Sequence, residues 1–581
     1  MAAKQMPEVE YVLVGFGWTA GILANELTKA GHSVVALERG QFRDTNPDFT
    51  VPAMHDELAY AVRQKLFQDP ARETVTLRNN VRQDALPVRN FIAFIPGNGV
   101  GGAGTHWNGA TWRFLETDFQ QRSHNLTRYG AAQIGEDCTS ADWGLTYADL
   151  EPYYERFEYL CGTAGKAGNL NGTKVAGGNV FEGPRKREYP NPPTKTSYAG
   201  SLFRDAALNA GYHPFQMPAS NSTSLYKNIE GVQMGECVYC GYCERFGCEM
   251  GAKASLQSTL WPVLKNRAGF ELRTNAHVLR VELDSTKKKA TGVTYLDPSG
   301  REVFQPAANV ILCAFALNNV RLMLLSGIGT PYDPATGKGQ IGRNYAYQAL
   351  TGGTLFFDDK VFNTFMGSGA LGTNIDDFNG DNFDHAGLDY IGGGTLSVGT
   401  YGARPIQFHP TPKGTPRWGG KWKAAVAKYY NRAFSIGTQG GVQAYRGNYL
   451  DLDPTYRDIH GQPLLRMTFD FGKHERKHSQ FVSQKIAALA KALNAKDVTL
   501  STLSHFTVGV YQTTHTTGGT ILGKDPGTSA VDTYGRSWDV PNVFVTGANL
   551  FPQNAGYNPT GTVGALTYRL ADALVNKKVT V

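Results

Sequence analysis

A short apolar stretch, Tyr11 to Val14, runs straight into Gly15-Phe16-Gly17-Trp18-Thr19-Ala20-Gly21. Apolar positions then fall at helical spacing, with Leu23, Leu27 and Ala30 on one face. Gly31 stops that helix, and Val34 to Leu37 form a second apolar strand that ends at Glu38. The pattern predicts strand, glycine-rich turn, helix, strand and acid, the βαβ fingerprint of a dinucleotide site. Gly15 permits the tight turn, Gly17 lets backbone approach a pyrophosphate, and Ala20 is small enough for helix and strand to pack closely. The helix start offers free N–H groups and a partial positive charge to phosphates. Glu38 stands where a carboxylate grips ribose hydroxyls.

Beyond Glu38 the chain is polar and reads as helical to about Arg82. An apolar run, Phe91 to Ile95, leads into the glycine-rich stretch Pro96 to Arg113. Residues 114–230 are rich in Tyr, Pro and polar groups, with Gly183 to Thr194 reading as an extended surface loop. Strand-like runs at Val278 to Leu283 and Val310 to Cys313 mark a return to the dinucleotide unit, and Arg321 to Leu325 is a helix closed by Gly327 and Gly329. From about Gly342 to Leu500 the chain has β character, with a helix at about 474–493. Pro559 suits the first turn of an amphipathic helix that reaches Leu574. The predicted class is mixed α/β and α+β. A Rossmann-like dinucleotide domain is built from residues 1–130, 231–345 and 501–581, and the cysteine-bearing loop at 235–255 belongs to it. An antiparallel-sheet substrate or cap domain, from residues 131–230 and 346–500, interleaves with it.

At 581 residues the chain is too long for one core, so two domains are expected. A hydrophobic content of 41% with 18% charged residues excludes a disordered class. The net charge of +7 is small for this length and reads as a mildly basic surface. The densest positive run, Lys287 to Lys289, sits between two strand-like segments and reads as a solvated hairpin loop, so nucleic acid is not an expected partner. No apolar window of about 18 residues occurs, so no bilayer span is expected. No charged-then-apolar leader precedes the first strand, which by itself predicts a cytoplasmic protein.

Candidate chemistry concentrates in three places. Gly97, Gly99, Gly101, Gly102, Gly104 and Gly109 exceed what one turn needs, and such a run lets backbone lie flat against a planar or phosphorylated ligand. His106 and Asn108 lie in its middle as candidate ligand contacts, against the alternative of a structural histidine. Cys237, Cys240, Cys243 and Cys248 follow a C-x2-C-x2-C-x4-C spacing. Thiolates this close favour a compact iron–sulfur cluster, with structural zinc and strained disulfides as alternatives. Cys138, Cys161 and Cys313 are isolated and expected to be buried. The third place is C-terminal: His515 to Pro526, then Asn542 to Asn549, then Asn558-Pro559-Thr560. A helix starting at Pro559 directs its positive end towards Asn558.

The Gly15-to-Glu38 fingerprint, VGGAGTHWNG, CVYCGYCERFGC, HTTGGTILGKDP and NPTGTVGAL together resemble the glucose–methanol–choline (GMC) family of flavoproteins from end to end. Within it the chain is most similar to the large, flavin-bearing subunits of bacterial membrane-bound sugar and sugar-acid dehydrogenases. The gluconate 2-dehydrogenase type is nearest, with the fructose and sorbitol enzymes as cousins. The cysteine run discriminates most, because ordinary members of the family lack it.

The resemblance implies FAD bound by the first fingerprint and by Gly101, Gly102, Thr105, His106 and Asn108. Gly547, Ala548, Pro559 and Thr560 are the expected contacts near the C-terminus. It implies that His515 takes the hydroxyl proton and Asn558 orients the hydroxyl, as a neutral imidazole with an ordinary pKa of about 6.5 can do. His106 matches a histidine that some relatives join to the flavin, which implies a histidyl–flavin bond, with a noncovalent contact as the alternative. The relatives hold a [3Fe–4S] cluster, best matched by Cys237, Cys243 and Cys248. Cys240 is then spare or the fourth ligand of a larger cluster.

The implied reaction is oxidation of a secondary alcohol of a sugar or sugar acid, gluconate-like, to a ketone. Electrons then pass through the cluster to a cytochrome c. The implied partners are a small subunit and a membrane-anchored multihaem cytochrome c subunit. The export signal of the small subunit would place the protein on the periplasmic side of the inner membrane. The competing readings are an oxidase that reduces O2 to H2O2 and a non-catalytic electron-transfer flavoprotein; the presence of both His515 and Asn558 argues against the latter. No single substrate is selected.

Overall fold

A computed structural model describes residues 4–50, 63–89, 96–364, 367–399, 408–507 and 514–579. The apolar run Phe91 to Ile95 lies outside the described residues.

Val9–Val14 (β1) and Val34–Glu38 (β2) pair in parallel, in register from Tyr11 opposite Val34 to Val14 opposite Leu37. Both read as near-continuous apolar runs because each is covered on both faces. The connecting helix Trp18–Lys29 (α1) buries Ile22, Leu23 and Leu27 and ends at Gly31, whose φ of +90° only glycine adopts without strain. Phe270–Thr274 (β3) lies parallel beside β2, and Glu302–Leu312 (β4) lies parallel beside β1. Val543–Val545 (β5) pairs with the last residues of β4. The C-terminal ends of β1, β2, β4 and β5 therefore meet along one edge, where ligands bind parallel α/β sheets.

The start of β4 pairs antiparallel with Ala290–Leu296, which turns back on His277–Leu283. The Lys287 to Lys289 run occupies that turn, fully exposed, as expected.

The second unit is an antiparallel sheet in the order Asp497–Ser501, Ala349–Phe356, Ala433–Gly440, Gly394–Gly399, Gly372–Ile375, Phe215–Gln216. Helix Lys473–Ala492 packs Val482, Ile486 and Leu489 onto it, against Leu355 and Ile436 among others. No helix among the described residues is long and apolar enough to cross a membrane.

Three expectations fail, each for a tertiary reason. The polar stretch after Glu38 holds, among the described residues up to Arg82, only a 3-10 turn at Arg63–Leu66 and a strand at Val75–Arg78. That strand pairs in parallel with Leu465 to Thr468, and the Thr76 hydroxyl donates to Asp453 at 2.7 Å, so a partner strand outweighs weak helical propensity. Gly183 to Thr194 is a loop only partly at the surface, since Lys186, Arg187 and Pro192 are exposed but Arg185, Tyr189 and Asn191 are buried. Finally, Tyr147–Cys161 (α2), allotted by sequence to the cap, packs instead on the C-terminal helix Thr560–Val575 (α3) and adds Phe157, Leu160 and Cys161 to the core around α1.

The second failure has an electrostatic cause. Glu158 on α2 accepts from Arg113 Nε and Nη2, both at 2.8 Å, and from Arg185 Nη2 at 2.6 Å. Arg113 Nη1 also donates to Glu151 at 3.1 Å and to the Tyr147 hydroxyl at 3.2 Å. Burial by itself would raise the Glu158 carboxyl, but the two guanidiniums bring it below the ordinary carboxylate value. Removing the shared carboxylate leaves two buried guanidiniums balanced only by Glu151, 3.1 Å from Arg113, and Glu182, 3.6 Å from Arg185. Glu158→Ala is expected to lower the unfolding free energy by about 3–5 kcal/mol, read from chemical denaturation with an unchanged denaturant slope. A loss below about 1 kcal/mol, the range of an exposed pair, would mean the charges are not desolvated as described.

Candidate active site

The strand ends frame a cavity of about 500 Å³. Gly15 turns with φ of +89°, and a Cβ there would come within 2.8 Å of Ala314 Cα and Cys313 O, so close packing alone requires glycine. Gly17 differs: a Cβ there meets no protein atom nearer than 3.9 Å, so the missing side chain leaves room for something that is not protein. No side chain caps α1, and Gly17, Trp18 and Thr19 line the cavity at its start. An uncapped helix start with free space beside it could hold a phosphate.

Glu38 lines the same cavity and ties its rim together. Its carboxylate accepts from the backbone N–H of Phe16 at 2.9 Å, Gly40 at 2.8 Å and Gly99 at 3.2 Å. Gly101 N–H donates to Phe16 O at 2.8 Å, fastening the second glycine-rich loop to the first. Gly102, Asn108, Gly547, Ala548, Pro559 and Thr560 also line the cavity.

Four predicted contacts do not line it. Ala20 is fully buried between α1 and its neighbours, and Gly101 acts through its backbone. The Thr105 hydroxyl turns back to Val100 O at 3.3 Å. His106, on the short helix Ala103–His106, is 3% exposed and sits edge-on to Phe67 with centroids 4.5 Å apart. Burial, with Lys253 and Arg245 nearby, lowers its pKa to about 3.

His515 and Asn558 meet in the cavity, with Asn558 Nδ2 2.7 Å from His515 Nε2. Burial lowers the His515 pKa to about 4, so its imidazole is neutral at pH 7. Its backbone has φ of +66°, unusual for a side chain branched off an ordinary Cβ, and Asn554 Nδ2 holds its carbonyl at 2.6 Å. Backbone strain of this kind gathers at functional sites. Asn558 Oδ1 accepts from Trp112 Nε1 at 3.0 Å. Arg39, Glu73 and Arg321 line the cavity as well, and both arginines are paired with Glu73.

The four clustered cysteines line a separate small cavity of about 20 Å³ with Asn221 and Lys253. All seven cysteines are free, so the disulfide alternative is not what forms, and Cys138, Cys161 and Cys313 are buried as expected. Asn221 Nδ2 and Lys253 N–H each reach a thiol sulfur at 3.5 Å, on Cys243 and Cys248. Burial and the neighbouring thiols raise Cys237 and Cys240, and burial raises Cys243 to about 12. Among the described residues no set of three or more His, Cys, Asp or Glu side chains stands drawn together as a preformed metal shell. The structure therefore gathers the predicted ligands without closing them.

Sequence reasoning passed over Trp112, Tyr347, Gln439, Glu244 and Arg245. Trp112 was visible as a second tryptophan closing the glycine-rich run, but its partner lies near the other end of the chain. Glu244 and Arg245, inside the cysteine run, line the large cavity, and Arg245 N–H donates to His106 O at 2.6 Å. The cysteine loop thus borders the dinucleotide cavity directly.

Comparison with known proteins supplies the family. The family described as GMC oxidoreductase matches residues 193–349 and 444–567. The chain is 49% identical over 579 residues to a gluconate 2-dehydrogenase flavoprotein of Pantoea cypripedii, covering 98% of this chain and 94% of that one. It is 25% identical over 596 residues to the fructose dehydrogenase large subunit of Gluconobacter japonicus, covering 98% of each. The fold is shared with pyridoxine 4-oxidase from Mesorbium loti, at a TM-score of 0.57 and 16% identity over 97% of this chain and 99% of that one. With half of all positions identical along nearly the whole length of both chains, this protein belongs to the GMC oxidoreductase family, whose members are FAD-binding flavoproteins.

Proposed function

We propose that the protein is the flavin-bearing subunit of a dehydrogenase that oxidises a secondary alcohol of a sugar or sugar acid, gluconate-like, to the ketone. The observation that carries this reading is the His515–Asn558 pair, 2.7 Å apart, inside the cavity bounded by the dinucleotide turn. The name of the 49% identical relative supports the substrate class.

The Gly15-to-Gly17 turn, the start of α1, Glu38 and the Gly102 corner are the residues that would hold FAD. Once bound, the flavin supplies the acceptor for the hydride that leaves the alcohol carbon. The chain's own groups do the remaining work. His515 Nε2, neutral and desolvated, accepts the hydroxyl proton. For this the substrate hydroxyl takes the place of the Asn558 N–H at Nε2, and Asn558 donates to the substrate oxygen instead, holding it beside that nitrogen. Pro559 and Thr560, at the start of α3, present the positive end of the helix to negative charge in the cavity. A histidyl–flavin bond requires His106 to turn towards the cavity from its place against Phe67.

The second half of the proposal is an iron–sulfur cluster on Cys237, Cys243 and Cys248, with Cys240 spare or a fourth ligand. Supporting it are the shared cavity, a donor set that suits iron, and N–H groups aimed at the sulfurs. Glu244 and Arg245 border both the cysteines and the large cavity, which makes a short path for single electrons. The outward partners in this reading are a small subunit and a multihaem cytochrome c on the periplasmic side of the inner membrane. The designation of one relative as a large subunit supports an assembly.

The following measurements test this. Anaerobic addition of gluconate and other polyols should bleach the flavin band, while electron paramagnetic resonance of the same sample shows an iron–sulfur signal. Hydrogen peroxide released in step with substrate oxidation would instead make the protein an oxidase. The acid limb of kcat/KM should fall only near pH 4, because a depressed pKa keeps His515 unprotonated until then, and His515→Gln should cost on the order of 100- to 10,000-fold in kcat. An inflection near the ordinary histidine value of 6.5 would mean that the His515 ring is not desolvated as described. Acid precipitation should leave flavin on the wild-type protein and release it from His106→Ala; flavin staying with the variant would reject the covalent bond.

A further inference from the structure

We infer that Trp112 is a positioning residue that dictates the tautomer of His515, leaving Nε2 bare and placing the ring proton on Nδ1. The functional meaning rests on the dehydrogenase reading; the tautomer itself does not.

The argument is one of donors and acceptors. An indole N–H can only donate. Trp112 Nε1 lies 3.0 Å from the Asn558 side chain, so the amide must turn its oxygen to the indole. Its nitrogen then faces His515 Nε2 at 2.7 Å. An amide NH2 can only donate, so Nε2 must accept. A neutral imidazole carries one proton, which therefore sits on Nδ1. Reversing the amide would set two donors against each other at Trp112 and would hold the ring with its proton on Nε2, where no proton could be accepted. One N–H, 446 positions away in sequence from the residue it orients, selects which histidine nitrogen is basic.

Trp112 is built to stay in place. Its ring is 3% exposed and stacks on Tyr557, with centroids 4.6 Å apart and planes at 15°. The Tyr557 hydroxyl is itself bound to Asp376 and accepts from Asn179 Nδ2 at 3.2 Å. The Trp112 carbonyl abuts the first turn of α3, where a Cβ on Gly561 would come within 2.1 Å of it. The next residue, Arg113, is clamped by Glu158. The indole therefore cannot swing away from Asn558 without moving a helix and a buried ion cluster.

The test reads protonation directly, in holoenzyme labelled with 15N-histidine, using two-bond proton–nitrogen correlation near pH 7. His515 is assigned by comparison with His515→Gln. The wild type should show Nδ1 protonated and Nε2 bare. Trp112→Phe keeps a ring on Tyr557 but deletes the donor, so the Nε2–H form should appear. The ratio of the two tautomers should shift roughly fivefold towards Nε2–H, the effect of one net hydrogen bond, and kcat should fall with the Nε2-bare fraction, by roughly twofold, with KM little changed. Asn558→Asp places an acceptor opposite Nε2 and should put a proton there even with Trp112 present. An Nε2–H signal in the wild type overturns the inference, and so does a Trp112→Phe spectrum identical to wild type. Should Trp112→Phe not fold, the wild-type and Asn558→Asp spectra decide, and the same tautomer in both refutes it. No substrate enters these spectra. A bare Nε2 in an enzyme that oxidises no sugar would sink the substrate reading and leave this one standing.

Discussion

Glu158, shared between two buried guanidiniums, is the contact on which the geometry of the active site hangs. Taking three charges out of water costs more than their attraction returns unless the hydrogen bonds are good, so such a cluster is poor evidence for stability as such. Its value here is placement. Arg113 is fixed by two parallel bonds to α2, and Trp112 beside it is thereby aimed at Asn558. α2 lies against α3 so closely that a Cβ on Gly564 would enter the Phe157 ring at 2.4 Å. The glycines of NPTGTVGAL thus serve helix contact, while the residues before them serve chemistry.

The cavity itself is held open by backbone bonds. Glu38 ties the first turn, Gly40 and the glycine-rich loop through three N–H groups, and Gly101 adds a fourth tie. Loops fixed in this way lose little further freedom when a ligand arrives, which favours tight binding. At the reacting side, order is maintained against local preference. His515 is kept at positive φ and half-buried, and Asn554 and Asn558 hold its backbone and ring. The same burial that costs stability lowers its pKa and keeps it a base.

The cysteine loop is joined to this site by a buried cation. Lys253, 1% exposed, donates from Nζ to Trp107 O at 2.8 Å and to Cys243 O and Phe246 O, both at 2.7 Å. An ammonium out of water needs all three carbonyls. In satisfying itself it staples the cysteine loop to the glycine-rich loop.

What the amino-acid order reveals unaided is whatever short-range physics encodes. The β1–α1–β2 fingerprint, the stop at Gly31, the hairpin at Lys287 to Lys289 and the cysteine spacing follow from periodicity, turn chemistry and spacing within a few tens of residues, whereas His515 and Asn558 stand out only through the resemblance of their motifs to a known family. Polarity misleads where a distant partner changes its meaning. Arg185 reads as surface until Glu158 neutralises it, and Val75–Arg78 reads as helix until Leu465 to Thr468 offers a strand to pair with. Trp112 shows the limit most clearly. Its indole gains a role only when folding brings residue 558 to it, and hydrogen bonding between such distant positions leaves no local trace in the chain, because direction and distance, not composition, determine it.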